Sequence, residues 1–299
     1  MENSSEIKKV SIISEFKTIT KAGLAFSVVF STLAGYLLAV EDWQQISVIK
    51  LIMLAVGGYC MVGASNAFNQ IIEKDLDSKM DRTKNRPISS GRVSKNSAFV
   101  LASILTLVGL IILYIVSPKT AMFGAISIFL YTSVYTPLKP LTPLAVFVGA
   151  FPGAIPFMLG WVAHTNDFGV EAGMLFLIQF FWQFPHFWAL GWMLFKDYEK
   201  GGFYLLPTRK KDNKTALQII LYTIWLIIVS LLPATGYTGR LYLTEVSAVL
   251  VLLAGLWMLY GALQLYRTRT DKAAKSLMLI SVTYITLIQI IFILDKFLR

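Results

Sequence analysis

Long uncharged runs recur along this 299-residue chain. Each is close to the roughly 20 residues that a helix needs to cross a bilayer. In lipid a backbone must satisfy its own N–H and C=O groups, so runs of this length become helices. A transmembrane β-barrel would instead show short segments of alternating polarity. The pattern predicts an all-α polytopic membrane protein with about nine transmembrane helices. The expected spans are 22–40, 47–72, 97–116, 120–137, 143–163, 171–195, 215–235, 244–265 and 276–295. Only 15% of the residues are charged and 56% are apolar, whereas soluble domains carry about 25% charge.

The net charge of +10 reads as topology rather than as a nucleic-acid footprint, because cytoplasmic loops collect Lys and Arg. The N-terminal segment carries Lys8, Lys9, Lys17 and Lys21. The loops after the second, sixth and eighth spans hold most of the remaining bases. The loop after the fifth carries His164, Asp167 and Glu171 and no base. This asymmetry predicts a cytoplasmic N-terminus and an external C-terminus. Residues 1–20 are expected to form an amphipathic segment along the cytoplasmic surface, leading into a single domain that fills the chain. No cleavable signal and no acid-poor transit peptide is read, which points to a bacterial inner membrane. The single cysteine, Cys60, lies in an apolar run and excludes an internal disulfide or a multi-cysteine metal site.

The chemistry concentrates in the loop after the second span. Asn69, Glu73 and Asp77 are four residues apart and so share one helix face. Asp81 would extend the line if the helix continued. Lys79, Arg82, Lys84, Arg86 and Arg92 follow. Carboxylates on one face can hold a hard divalent cation, and nearby guanidinium groups can grip phosphate bidentately. Together they describe a site for a metal diphosphate, against the plainer alternative of a solvated basic loop. Lys21 and Lys139 are further phosphate candidates, or markers of the membrane interface.

A second polar segment ends the sixth span. Trp182, Gln183 and His186 precede Lys196, Asp197 and Glu199. Asp197 is a candidate for a second metal-facing carboxylate, and the two charged loops are expected to face each other across one cavity. An ionisable residue inside a span is a functional candidate by default. His186 suits a haem-iron ligand, a proton carrier or a hydrogen bond to substrate, and equally a bond to a neighbouring helix. His164 falls at the opposite face and is carried only as a possible second haem contact. Pro152, Gly153, Pro156 and Gly160 predict kinks or close helix approaches in the fifth span. The absence of a phosphate-binding loop, a nucleophile elbow and a His–Glu zinc motif argues against ATP-driven transport and hydrolysis.

Asn69-Gln-Ile-Ile-Glu73-Lys-Asp-Leu-Asp77, followed by Arg82-Thr-Lys-Asn-Arg86-Pro, resembles the aspartate-rich motif of the UbiA superfamily of intramembrane prenyltransferases. Gln70 and Glu73 stand where the superfamily usually has Asp. That variant, with Trp182-Gln-Phe-Pro-His186-Phe-Trp and the stretch from Tyr135 to Lys139, resembles the superfamily's haem-farnesylating branch. The resemblance covers nearly the whole chain. It departs at Thr20-Lys21-Ala22-Gly23, where the branch has an Arg, and in a second motif poor in acids.

The resemblance implies farnesyl diphosphate and haem b as substrates. Mg²⁺ would be held by Asn69, Glu73, Asp77 and Asp197, with Arg82 and Arg86 on diphosphate. It implies further substrate contacts from Lys21, Lys139, Trp182, Gln183 and Lys196, and His186 beside the acceptor. Possible partners are haem A synthase or a terminal-oxidase assembly, and no nucleic acid. Two other readings stay open at this stage: prenylation of an aromatic quinone precursor, and a haem or lipid transporter without chemistry.

Overall fold

The computed structural model describes residues 11–299, so Lys8 and Lys9 lie outside the described residues. The described chain is helical throughout and has no strand. Its helices are α1 (Ile12–Ile19), α2 (Ala22–Ala39), α3 (Val48–Ile72), the single turn α4 (Lys74–Asp77), α5 (Lys95–Val116), α6 (Pro118–Phe129), α7 (Thr136–Leu138), α8 (Ala145–Thr165), α9 (Val170–Met193), α10 (Phe195–Lys200), α11 (Asn213–Leu231), α12 (Glu245–Thr268) and α13 (Asp271–Leu298). A π-helical turn, Leu130–Tyr135, joins α6 to α7.

Each long helix packs on the next along the chain, and α13 returns to α2, which closes a ring. The two largest contacts that cross that ring are α2 on α8 and α9 on α13. Eight helices among the described residues are long and apolar enough to span a membrane. The 24-residue α9 is not one of them, although at about 1.5 Å per residue it is of spanning length. It carries Gln179, Gln183, Pro185 and His186, which lower its hydropathy. Gln179 and Gln183 are buried against neighbouring helices rather than turned to lipid.

Loop contacts sort to two ends of the ring. At one end Trp43 stacks on Phe297 at 3.9 Å, Glu41 pairs with Arg240, and Ser117 Oγ donates to Asn166 Oδ1 at 2.7 Å. At the other, Arg92 pairs with Glu15 of α1 at 2.6 Å and Lys211 pairs with Asp271. The first described helix and the C-terminal residues therefore lie at opposite ends. Side-chain caps start the helices at both ends. Ser47 caps α3, Ser94 caps α5, Asp212 caps α11, Thr244 caps α12 and Thr270 caps α13. Each occupies one of the N–H groups that a helix end leaves without a partner.

The crossing of α2 and α8 depends on two glycines. A Cβ on Gly160 would collide with the Thr32 carbonyl oxygen and the Tyr36 nitrogen, and one on Gly35 with the Phe157 carbonyl oxygen. The obstacles are backbone and cannot rotate away, so the helices would have to separate. This is the close approach expected from the Pro–Gly run. Gly160→Ala is expected to lower stability in detergent by about 1–3 kcal/mol. Gly173→Ala, which meets open space, should be neutral or slightly stabilising. Thermal unfolding of the two purified variants checks this.

Candidate active site at the end of α3

The apolar helix α3 ends at Ile72, and Glu73 opens a single further turn. Two hydrogen bonds carry the helical register through the break. Glu73 N donates to Asn69 O at 2.9 Å, and Asp77 N to Glu73 O at 2.7 Å. Asn69, Glu73 and Asp77 therefore stay on one face, as their spacing predicts. The line stops there. Asp81 lies in a turn, where it pairs with Lys84 at 2.8 Å and with Lys200 of α10. Those two ammonium groups hold its carboxyl down to about 2.

All three in-line residues are buried, Asp77 completely. Glu73 Oε1 lies 2.7 Å from Lys139 Nζ, and Asp77 Oδ2 accepts from Arg86 Nη1 at 2.6 Å. Asn69 Nδ2 donates to Thr136 Oγ1 at 3.2 Å. The side chains from one helix end are thus tied to the loop 78–94 and to the start of the loop after α7. Burial pushes the Asp77 carboxyl above its ordinary range, with the Arg86 charge opposing the shift. Burial also works against the charge of Lys139, but the Glu73 carboxylate prevails and raises it.

Lys21 joins the same field from the α1–α2 corner. Its backbone is left-handed, φ 47°. The corner is fastened by Asn66 Nδ2 donating to Thr20 O at 3.2 Å and Gln70 Nε2 to Ile19 O at 2.9 Å. Burial, with the charges of Arg86 and Lys139 adding, pushes the Lys21 ammonium down to about 7, against the pull of Glu73 and Asp77. Spacing alone could not show that Lys21 and Lys139 converge on the acids, because each is brought there by a different helix.

Tyr131 and Tyr135 were not singled out as site residues by the charge pattern. Their rings lie 5.2 Å apart, and Lys139 Nζ sits 4.7 Å above Tyr135. The π turn creates this arrangement. Pro137 has no N–H to continue the α-helical ladder, and its ring crowds the preceding turn. The Thr136 N–H and hydroxyl both go to Tyr131 O instead. Gly149 leaves room for Tyr135, since a Cβ there would stand 2.7 Å from its ring. A proline inside an apolar run was the available signal.

The two charged loops meet. Asp197 Oδ1 accepts from Asp81 N at 2.7 Å, and the exposed Arg82 lies over the Tyr198 ring at 5.6 Å. Arg92 turns away to Glu15, and Lys196 is exposed with no ion pair among the described residues. Gln183 Nε2 donates to Ala150 O at 2.8 Å, and its amide fills the space left by Gly153. Trp182 Nε1 donates to Ser281 O at 2.6 Å and stacks on His186, 4.7 Å between ring centres. His164 stands edge-on to Tyr36 at the opposite end, away from this site. An open cavity of about 420 Å³ lies between α3, α5 and α6 and is lined by Phe68, Thr106 and Ser133 among others. It does not include Glu73, Asp77 or His186.

The metal set expected from sequence is not assembled as one protein cage. Among the described residues no three His, Cys, Asp or Glu side chains gather closely enough to hold an ion. The reason is that Glu73 and Asp77 each face a base, while Asp197 faces a backbone amide. Mg²⁺, however, takes one or two carboxylates and completes its shell with phosphate oxygens and water. Asp77 Oδ1 and Asp197 Oδ2 are buried oxygens without a hydrogen-bond partner, which fits such a shared shell.

Residues 28–287 match the UbiA prenyltransferase family. The chain belongs to that family. It is a multi-pass membrane protein. It is 71% identical over 289 residues, 97% of its length and 96% of the relative's, to the protoheme IX farnesyltransferase of Flavobacterium psychrophilum. It is 66% identical over 298 residues, 100% and 99% of the two chains, to the enzyme of that name from Flavobacterium johnsoniae. Among solved structures it resembles a digeranylgeranylglyceryl phosphate synthase, with TM-score 0.78, 16% identity and 96% and 99% coverage. It also resembles a UbiA homologue from Archaeoglobus fulgidus bound to DMAPP and Mg²⁺, with TM-score 0.70, 12% identity and 95% and 98% coverage. These two likenesses are of fold.

Lys21 gives the site a pH dependence whose sign follows from its lowered value. An anion among these bases favours the charged ammonium, so binding draws a proton to Lys21 once the pH exceeds about 7. Affinity for a prenyl diphosphate is expected to be full below pH 7. Above it, affinity should fall by up to about tenfold per pH unit, until the higher value in the complex is passed. Calorimetric titration at pH 8 in buffers of different ionisation enthalpy should show proton uptake. Lys21→Arg, always charged, should remove both effects.

Proposed function

We propose that this protein transfers the farnesyl group of farnesyl diphosphate to a vinyl group of haem b, giving haem O and diphosphate in a Mg²⁺-dependent reaction. The observation that carries this reading is the buried, ion-paired set Glu73–Lys139 and Asp77–Arg86, in a chain so similar along its length to protoheme IX farnesyltransferases. The site lies at the cytoplasmic face of a bacterial inner membrane, as the basic loops indicate, in a nine-helix bundle with its C-terminus outside.

Glu73, Asp77 and Asn69 would hold Mg²⁺, with Asp197 facing it from the opposite loop. The bound ion would neutralise charge on the departing diphosphate. Arg86 and Lys139 would exchange their carboxylate contacts for diphosphate oxygens, Lys21 would add its charge from the α1–α2 corner, and Arg82 would close the rim. The bond between farnesyl C1 and oxygen breaks, and the diphosphate leaves with the electron pair. Positive charge then grows on the allylic carbons. The faces of Tyr131 and Tyr135 stabilise that charge, while the apolar surroundings exclude stray water. The vinyl π electrons form the new bond to C1. Positive charge passes to the carbon next to the porphyrin ring, which takes the oxygen of one water and releases a proton. Trp182 and His186 border the acceptor. The product is a substrate for a further haem-modifying enzyme.

Purified protein supplied with haem b, farnesyl diphosphate and Mg²⁺ is expected to form haem O. Glu73→Gln and Asp77→Asn should each lower kcat by about 100-fold or more, since they remove charge aimed at the transition state. Chromatographic detection of haem O checks both. Prenylation of an aromatic quinone precursor with no haem O would overturn the reading.

A further inference from the structure

His186 and Trp182 are both held by one residue of a different helix. Ser281 of α13 is fully buried. Its carbonyl accepts from Trp182 Nε1 at 2.6 Å, and its hydroxyl lies 2.8 Å from His186 Nδ1. The same hydroxyl donates to Met278 O at 2.7 Å. A serine hydroxyl has one proton. With that proton on Met278 O, Ser281 Oγ accepts from His186, an arrangement that places the imidazole hydrogen on Nδ1. Nε2 then holds a free lone pair. The Met278 carbonyl also hydrogen-bonds the ring, and an Nδ1–H can be shared between it and Ser281 Oγ. Trp182 stacks on the imidazole at 18° between planes, and Phe187 meets it edge-on, so the ring plane is fixed as well as the tautomer.

This is the preparation that a metal-ligating histidine receives from its surroundings. One nitrogen donates to an oxygen acceptor, which fixes the ring and raises the basicity of the other. A histidine bonded merely to satisfy its burial needs neither a fixed tautomer nor a stacked plane. The depth also suits a flat acceptor. His186 is seven residues from the end of α9 at Met193, about 10 Å below that helix end at 1.5 Å per residue. The diphosphate-binding side chains sit at the membrane surface. A macrocycle with its metal held at that depth can reach back with its edge toward the allylic carbon.

We infer that His186 Nε2 is an axial ligand to the iron of the haem substrate, and that Ser281 is the positioning residue that sets its tautomer. This inference rests on haem being the acceptor.

The chain has only two histidines, so ¹⁵N-histidine labelling of the full-length protein reports ligation directly. Haem b is added to the labelled protein, and electron-nuclear spectroscopy of the ferric iron should show histidine ¹⁵N coupling, retained in His164→Ala. His186→Ala should shift the Soret band, and added imidazole should restore it. Mg²⁺-dependent binding of farnesyl diphosphate, unchanged in that variant, confirms that it folds. Ser281→Ala should weaken haem affinity by about 10-fold or more, and Ser281→Thr should recover most of it. Absence of ¹⁵N coupling in the wild type, or its loss in His164→Ala, would overturn the inference. Haem O formation by the wild type is assayed in parallel. If haem O forms without the coupling, the inference fails and the proposed function stands. If none forms, the proposed function fails.

Discussion

The site depends on taking charges out of water in pairs. Glu73 and Asp77 are nearly inaccessible, and each is neutralised by one base from another part of the chain, Lys139 and Arg86. Removing one member of such a pair leaves an uncompensated buried charge, at a cost of about 3–5 kcal/mol. The pairs therefore fasten the loops above α3 as firmly as packing does. In the proposed reaction they exchange: a metal would take the place of the bases on the acids, and a diphosphate the place of the acids on the bases. Burial then makes each new contact stronger than it would be in open water.

The helical bundle sets the positions from which those charges converge. The end of α3 supplies the acids, the loop that follows it supplies Arg86, the end of the α6–α7 rod supplies Lys139, and the α1–α2 corner supplies Lys21. Gly35 and Gly160 bring α2 and α8 into backbone contact, which seats α2 against the rest of the ring. Gln70 adds a local fastening. Its amide donates to the last carbonyls of α1, a bond that the Asp usual at this place in the superfamily could not donate.

Much of this was legible in the sequence, and the reasons differ by element. The spans follow from hydropathy. The Asn69–Glu73–Asp77 face follows from helical spacing, because local hydrogen bonds keep the register through the break at Glu73. The pairing of Lys139 with Glu73 and the approach of Lys21 were not legible, since both depend on contacts distant in sequence. Gln183 and Trp182, expected as substrate contacts, also tie α9 to α8 and to α13 through their hydrogen bonds. A polar group in a membrane interior must find a partner, and composition cannot say whether that partner is a ligand or a helix. The π turn was hidden because Pro137 ends one ladder without naming the next.

In the proposed reaction metal and diphosphate bind as a coupled unit by displacing the Glu73–Lys139 and Asp77–Arg86 pairs. Calorimetric titration of a non-reactive farnesyl diphosphate analogue, with Mg²⁺ present and with it removed by chelation, tests that coupling directly. Tight binding is expected only when both are present, with each raising the affinity of the other by the same factor. Equal affinity for the analogue with and without the metal would contradict it.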